Sequence, residues 1–212
     1  MRIAIVGGSF DPPTMSHLVM GEVVSHLVDR VVYVPAGHSP LKTGHFASPA
    51  DRLAMIRLAV RGNRKFVVSE SEVFGPEPSY MIETLRRFRT ETVEPVLVIG
   101  SDCYRQFHRW HCFAELLGEF EILVVSRPGY DARNRKLADL PKRGVEFLSG
   151  CGTGLSSTAV RARLAAGLGC RHMLPDRVLA HIRSRRLYAL GDDSSGDVGG
   201  DPSSARFLLL RP

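Results

Sequence analysis

Short apolar runs spaced by helix-length segments recur along the first 150 residues. They are Ile3-Ala4-Ile5-Val6, Val31-Val32-Tyr33-Val34, Phe66-Val67-Val68, Pro95-Val96-Leu97-Val98-Ile99-Gly100, Glu121-Ile122-Leu123-Val124-Val125 and Val145-Glu146-Phe147-Leu148. Most are continuously apolar rather than alternating, as expected of strands buried on both faces. Helices are expected between and after them, at 17–28, from Ser48-Pro49 to about Val60, and at about 80–90, 112–118, 157–166 and 175–186. Ser48-Pro49 has the form of an N-cap with proline in the first helical position. Strands alternating with helices predict an α/β fold: a doubly wound, mostly parallel sheet with helices on both faces. The pattern covers 1–190 as one domain. Residues 191–204 are rich in Gly, Asp and Ser, so 191–212 reads as a disordered tail.

A chain of 212 residues that is 44% apolar can bury a real core. No apolar run approaches the roughly 18 residues of a membrane span, and the four-residue run behind Arg2 is too short for a secretory signal. A cytoplasmic protein without a membrane partner is the expectation. Lys and Arg outnumber Asp and Glu by 28 to 22, a net +6. That excess suits a mildly basic surface, a nucleic-acid partner or a small polyanionic substrate. No interleaving of basic and aromatic residues supports nucleic acid. Cys103, Cys112, Cys151 and Cys170 form no C-x-x-C pair and are expected as free thiols. His108-Arg109-Trp110-His111-Cys112 has metal-ligand residue types, but no fourth ligand is evident nearby.

Two stretches carry candidate chemistry. Gly7-Gly8-Ser9-Phe10 follows the first strand, and ligands of open parallel sheets bind beyond strand carboxyl ends. Glycine lets the backbone approach a phosphate and point its N–H groups at it, and a helix start adds positive dipole there. His17 falls in the first turn of that helix, able to donate to a phosphate oxygen. The stretch is neither a P-loop nor a G-x-G-x-x-G fingerprint. The second stretch is Ser156-Ser157-Thr158-Ala159-Val160-Arg161. Three hydroxyls at a helix start, with an arginine one turn on, form either an ordinary N-cap or a second anion site. Together the two stretches suggest a polyphosphate held between two helix starts.

Gly7-Gly8-Ser9-Phe10-Asp11-Pro12 followed by Thr14-Met15-Ser16-His17 resembles the nucleotidylyltransferase signature G-G-x-F-D-P…[HT]-x-G-H. Ser156 to Arg161 resembles the second signature of that superfamily. Lys42, Pro78-Ser79-Tyr80 with Thr84-Leu85, Gly100-Ser101-Asp102 with Trp110, and Arg127-Pro128-Gly129-Tyr130 resemble its nicotinate-mononucleotide adenylyltransferase branch. The resemblance implies a Rossmann-like nucleotidylyltransferase fold and adenylyl transfer from ATP to nicotinate mononucleotide, giving deamido-NAD and pyrophosphate. It implies that His17 and Thr14 hold the α-phosphate, with Gly7, Gly8, Ser9 and Phe10 lining the phosphate path. Ser156, Ser157 and Arg161 would hold the β- and γ-phosphates. Gly100 and Asp102 would meet the ATP ribose. Lys42, Tyr80, Thr84 and Trp110 would serve the mononucleotide, Trp110 by stacking on the pyridine. Mg²⁺ would bridge phosphate oxygens, mostly through water, without a protein cage.

Ser16 departs from the glycine of the first signature. Its side chain either offers another hydroxyl donor or crowds the phosphate. Alternatives therefore stay open: another acceptor such as nicotinamide mononucleotide or phosphopantetheine, or a nucleotide-binding sensor with weakened chemistry.

Overall fold

The structure is a computed structural model, and it describes residues 1–38, 45–75, 78–127, 140–149 and 154–188. Six parallel strands form one sheet in the order β3-β2-β1-β4-β5-β6: β1 (Arg2–Gly8), β2 (Arg30–Pro35), β3 (Phe66–Val68), β4 (Glu94–Gly100), β5 (Glu121–Val125) and β6 (Gly144–Leu148). The helices are α1 (Met15–Val24), α2 (Pro49–Val60), α3 (Met81–Phe88), α4 (Ser101–Arg105), α5 (Phe113–Glu119), α6 (Ser157–Ala165) and α7 (Asp176–Ser184). This is the doubly wound, Rossmann-like arrangement expected of the pattern.

Alternate strand residues fill opposite faces, as the pleat requires. Ile3, Ile5, Leu97, Ile99, Ile122 and Val124 pack with Ile82 and Leu85 of α3 and Leu116 and Leu117 of α5. Ala4, Val6, Val96, Val98, Leu123 and Val125 pack on the other face with Val24 of α1 and Leu53, Ile56 and Val60 of α2. A third cluster joins Met55 of α2 to Val160 of α6 and to Val178, Leu179 and Ile182 of α7. That cluster seats the start of α6 near the sheet without making α6 part of a strand crossover. Among the described residues, no helix is long and apolar enough to cross a membrane.

The boundaries shift where local bonds outweigh the apolar period. α1 starts at Met15, two residues before the expected start, because extended Thr14 caps it and its N–H donates to His17 Nδ1. It ends at Val24 rather than 28, since both the N–H and the hydroxyl of Ser25 turn back to the Glu22 carbonyl. Leu27 and Val28 still pack on the core, from the turn. β1 runs on through Gly7 and Gly8, paired with Val34 and Pro35. α4 and the 3₁₀ turn Phe107–Arg109 were not foreseen; five polar-rich residues carry no readable period. The disordered tail expected at 191–212 lies outside the described residues.

Candidate active site

β1 is central, flanked by β2 and β4, so the chain leaves it in opposite directions on its two sides. A crevice forms beyond the strand ends at such a switch point. A cleft of about 640 Å³ opens there. Its floor is the Gly7–Asp11 turn with the ends of β4 and β5. Ser16 and His17 of α1 stand on one side, and Ser156, Ser157, Thr158 and Arg161 of α6 and its cap stand on another. Asp102, Cys103 and Trp110 line the far part. The two sequence-predicted helix starts therefore converge on one space, with His17 and Arg161 both on its wall.

The His17 imidazole is fixed by its own helix start. Nδ1 accepts the Thr14 N–H at 2.9 Å and lies 2.9 Å from the Thr14 hydroxyl. A neutral ring that accepts at Nδ1 carries its proton on Nε2. The ring also packs edge-on against Phe10, with centroids 5.2 Å apart. Thr14 itself is wholly buried and does not line the cleft. Its N–H and hydroxyl both lie against the His17 ring and orient it.

The 156–161 segment is stitched to the first turn through backbone carbonyls. Ser157 Oγ donates to Pro12 O at 2.8 Å, and Arg161 Nη1 donates to Asp11 O at 2.7 Å. Arg161 Nη2 reaches Thr158 Oγ1 at 3.3 Å, and the guanidinium lies 4.2 Å over the Phe46 ring. Such stacking holds a guanidinium plane without using all five of its donors. Ser156 caps α6 by accepting Ala159 N–H at 3.1 Å. The stretch is therefore an N-cap, and it also faces the cleft.

Asp11 and Arg52 brace the turn from beneath. Asp11 accepts the N–H groups of Phe46 and Ala47 at 2.8 and 3.2 Å and the Tyr188 hydroxyl at 2.6 Å. Arg52 is wholly buried and donates to the carbonyls of Ser9, Ala36 and Gly37 at 3.0, 2.6 and 3.1 Å. Burial lowers its pKa, and the nearby Asp11 charge opposes that shift. A buried cation of this kind is tolerated because carbonyl oxygens surround it. Sequence reading missed Arg52, His45 and Phe46. The last two line the cleft from a Gly/Pro/His/Ser loop with no period to place them.

At the β4 end, a Cβ on Gly100 would press on the Asp102 carboxylate and lie 3.1 Å from Arg127 Cδ, so these side chains crowd the backbone there. Asp102 Oδ2 is paired with Arg127 Nη1 at 2.6 Å, so its carboxylate is already engaged by a cation. Arg127 stands at the end of β5, where the strand-end rule would have pointed to it. Trp110 is half-buried, lies 5.0 Å from the Phe107 ring and lines the cleft. Tyr80 and Thr84 do not line it. Tyr80 stacks on His111 at 4.1 Å, and the buried Thr84 hydroxyl donates to Glu72. Lys42 lies outside the described residues. Among the described residues, no three His, Cys, Asp or Glu side chains gather as metal ligands. Cys112 and Cys170 are free thiols; Cys151 lies outside the described residues.

A Rossmann-like parallel sheet with a cleft between two helix starts at its switch point is an architecture suited to binding nucleotides. Residues 5–163 match the cytidylyltransferase-like family, and the chain belongs to it. It is 40% identical over 194 residues to a protein of Roseiflexus sp. (strain RS-1), covering 88% of this chain and 97% of that one. It is 38% identical over 206 residues to a protein of Symbiobacterium thermophilum, covering 92% and 99%. Both relatives are named probable nicotinate-nucleotide adenylyltransferase. The fold is similar to that of Plasmodium falciparum nicotinic acid mononucleotide adenylyltransferase complexed with NaAD, with a TM-score of 0.71 at 19% identity over 88% of this chain and 97% of that chain.

Proposed function

We propose that this chain transfers the adenylyl group of ATP to nicotinate mononucleotide, forming deamido-NAD and releasing pyrophosphate. The observation that carries the reading is the shared cleft, with His17 and Arg161 on its wall and Trp110 further along. A phosphate oxygen of the mononucleotide attacks the α-phosphorus of ATP. The new P–O bond forms as the bond to the β-phosphate oxygen breaks, and pyrophosphate carries away the electron pair. The attacking phosphate is ionised near neutral pH, so no protein base is needed. Catalysis is then positioning and charge stabilisation.

In this reading, His17 Nε2–H donates to a non-bridging oxygen of the α-phosphate, where charge grows in the transition state. Thr14 holds the imidazole in that tautomer. The backbone of Gly7 to Phe10 lines the phosphate path. Arg161, Ser156 and the α6 start hold the β- and γ-phosphates, while the Ser157 hydroxyl fixes the first turn through Pro12. The Asp102–Arg127 pair meets the ATP ribose, and Lys42 approaches the phosphates. Trp110 stacks on the pyridine ring. Thr84 does not serve the mononucleotide here, since its hydroxyl is committed to Glu72.

Of the carboxylates nearest the phosphate path, Asp11 accepts two N–H groups and the Tyr188 hydroxyl, and Asp102 holds Arg127 through Oδ2 while its buried Oδ1 has no hydrogen-bond partner. That donor set suits Mg²⁺ carried on phosphate oxygens and water, where it neutralises their charge. The cytoplasm is the proposed compartment, since ATP and the mononucleotide are intracellular.

The test is an acceptor panel. The chain with ATP and Mg²⁺ is offered nicotinate mononucleotide, nicotinamide mononucleotide or phosphopantetheine, with pyrophosphate release and dinucleotide followed together. Nicotinate mononucleotide is expected to give the highest kcat/KM. Preference for another acceptor reassigns the substrate. No pyrophosphate with any of them overturns the transferase reading.

A further inference from the structure

Ser16 occupies the second helical position of α1, beside His17, and lines the cleft. Its hydroxyl donates to the carbonyl oxygen of Leu155 at 3.1 Å, across 139 residues of chain. The same oxygen accepts Arg127 Nη2 at 2.6 Å, and Arg127 Nη1 holds Asp102. One carbonyl therefore joins three segments: the start of α1, the end of β5 and, through Arg127, the start of α4.

Leu155 immediately precedes Ser156, the cap of α6. A trans peptide is planar, with its C=O and N–H antiparallel. Pinning the Leu155 carbonyl with two donors fixes the Ser156 N–H in the opposite direction. Arg127 ties that peptide to the ribose side of the cleft. Ser16 alone of the two ties it to the helix that carries His17. A glycine at this position offers no hydroxyl and cannot make the bond.

We infer that Ser16 is a positioning residue that sets the spacing and orientation of the α6 start relative to His17, so that the α6 end of the cleft is aligned before the triphosphate arrives. The inference rests on the transferase reading for its kinetic expression, but not for the bond itself. An aligned α6 start serves the bound ATP in the ground and transition states alike. Uniform binding of that sort appears in KM and leaves kcat alone.

The experiment compares wild type with Ser16→Ala and Ser16→Thr, by steady-state kinetics and by amide hydrogen exchange of the ligand-free chain. Alanine removes the hydroxyl without adding glycine flexibility; threonine keeps it. One neutral hydrogen bond predicts that Ser16→Ala raises KM for ATP by about fivefold, with kcat within about twofold. Exchange over residues 154–160 should quicken, and Ser16→Thr should return both readouts toward wild type. Unchanged exchange and unchanged KM in Ser16→Ala overturn the inference. A fall in kcat with KM and exchange unchanged also overturns it, since the hydroxyl would then act on the reacting phosphate. If the wild type releases no pyrophosphate with any acceptor, the transferase reading fails alone, and the exchange comparison still decides the tie.

Discussion

Tyr188, at the far end of the described chain, donates its hydroxyl to Asp11 Oδ1 at 2.6 Å, linking the segment after α7 to the turn after β1. Asp11 is 3% exposed and also anchors the Phe46 and Ala47 N–H groups. Burial, and then the Asp11 carboxylate, push the Tyr188 hydroxyl above its ordinary pKa, so the donor proton stays in place through the neutral range. Tyr188→Phe removes one hydrogen bond to a charged acceptor, worth about 1.5–3 kcal/mol, and should lower Tm by several degrees. Asp11→Asn should cost more, because an amide NH₂ cannot accept from the N–H groups that face it. Thermal melts of the two variants check the ranking; a Tyr188→Phe protein melting with the wild type would remove the tie from the list of stabilising contacts.

His17 makes its contacts to Thr14 through Nδ1, which directs the proton to Nε2. If Nε2–H meets charge that develops only in the transition state, His17→Ala should lower kcat by about 10²–10³ and leave KM for both substrates within a few-fold. Steady-state kinetics at saturating ATP read this directly. Near-normal turnover would end the assignment.

The sheet was legible because strands buried on both faces carry unbroken apolar runs, and Ile3–Val6, Val96–Ile99 and Ile122–Val125 are such runs. The glycines at 7–8 and the hydroxyls at 156–158 were legible because local chemistry dictates them, glycine where side chains crowd the backbone and serine where a helix begins, although Gly7 and Gly8 finish β1 and the turn comes after them. The pairings that arm the site were not. Ser157 with Pro12, Arg161 with Asp11 and Arg127 with Asp102 join residues 145, 150 and 25 positions apart, and no period encodes them. α4 has five residues and stands where it does because Gly100 ends β4 beside Arg127. Thr84 reads as a helix hydroxyl suited to a ligand, but a buried carboxylate from twelve residues earlier claims it.

Trp110 is the only tryptophan, so its emission reports its surroundings alone. Titration with nicotinate mononucleotide should quench it saturably if the pyridine stacks on the indole. Base–aromatic stacking is worth about 1–3 kcal/mol. Trp110→Ala should therefore raise KM for the mononucleotide by about tenfold or more and leave KM for ATP within about twofold. Trp110→Phe should recover part of the loss. An equal effect on both substrates would mean that the ring only packs the wall against Phe107.

Glu72 is a buried carboxyl outside the cleft. Desolvation raises its pKa, against the opposing pull of the Thr84 and Ser79 hydrogen bonds and the Arg87 charge. An acid with a raised folded pKa holds its proton more tightly folded than unfolded. Its neutral form therefore favours the fold fully below the ordinary glutamate value of about 4.3, and that contribution is lost as pH rises through the raised value. Glu72→Gln keeps an acceptor for the Thr84 hydroxyl and has no charge to bury. Its Tm should match the wild type in acid and exceed it increasingly as pH climbs above about 4.3, levelling once Glu72 is fully ionised. Melts of both proteins between about pH 4 and pH 8 measure the difference, whose window brackets the raised value. A Glu72→Gln variant less stable than wild type at neutral pH would mean that Arg87 and the two hydroxyls outweigh the cost of burying the charge.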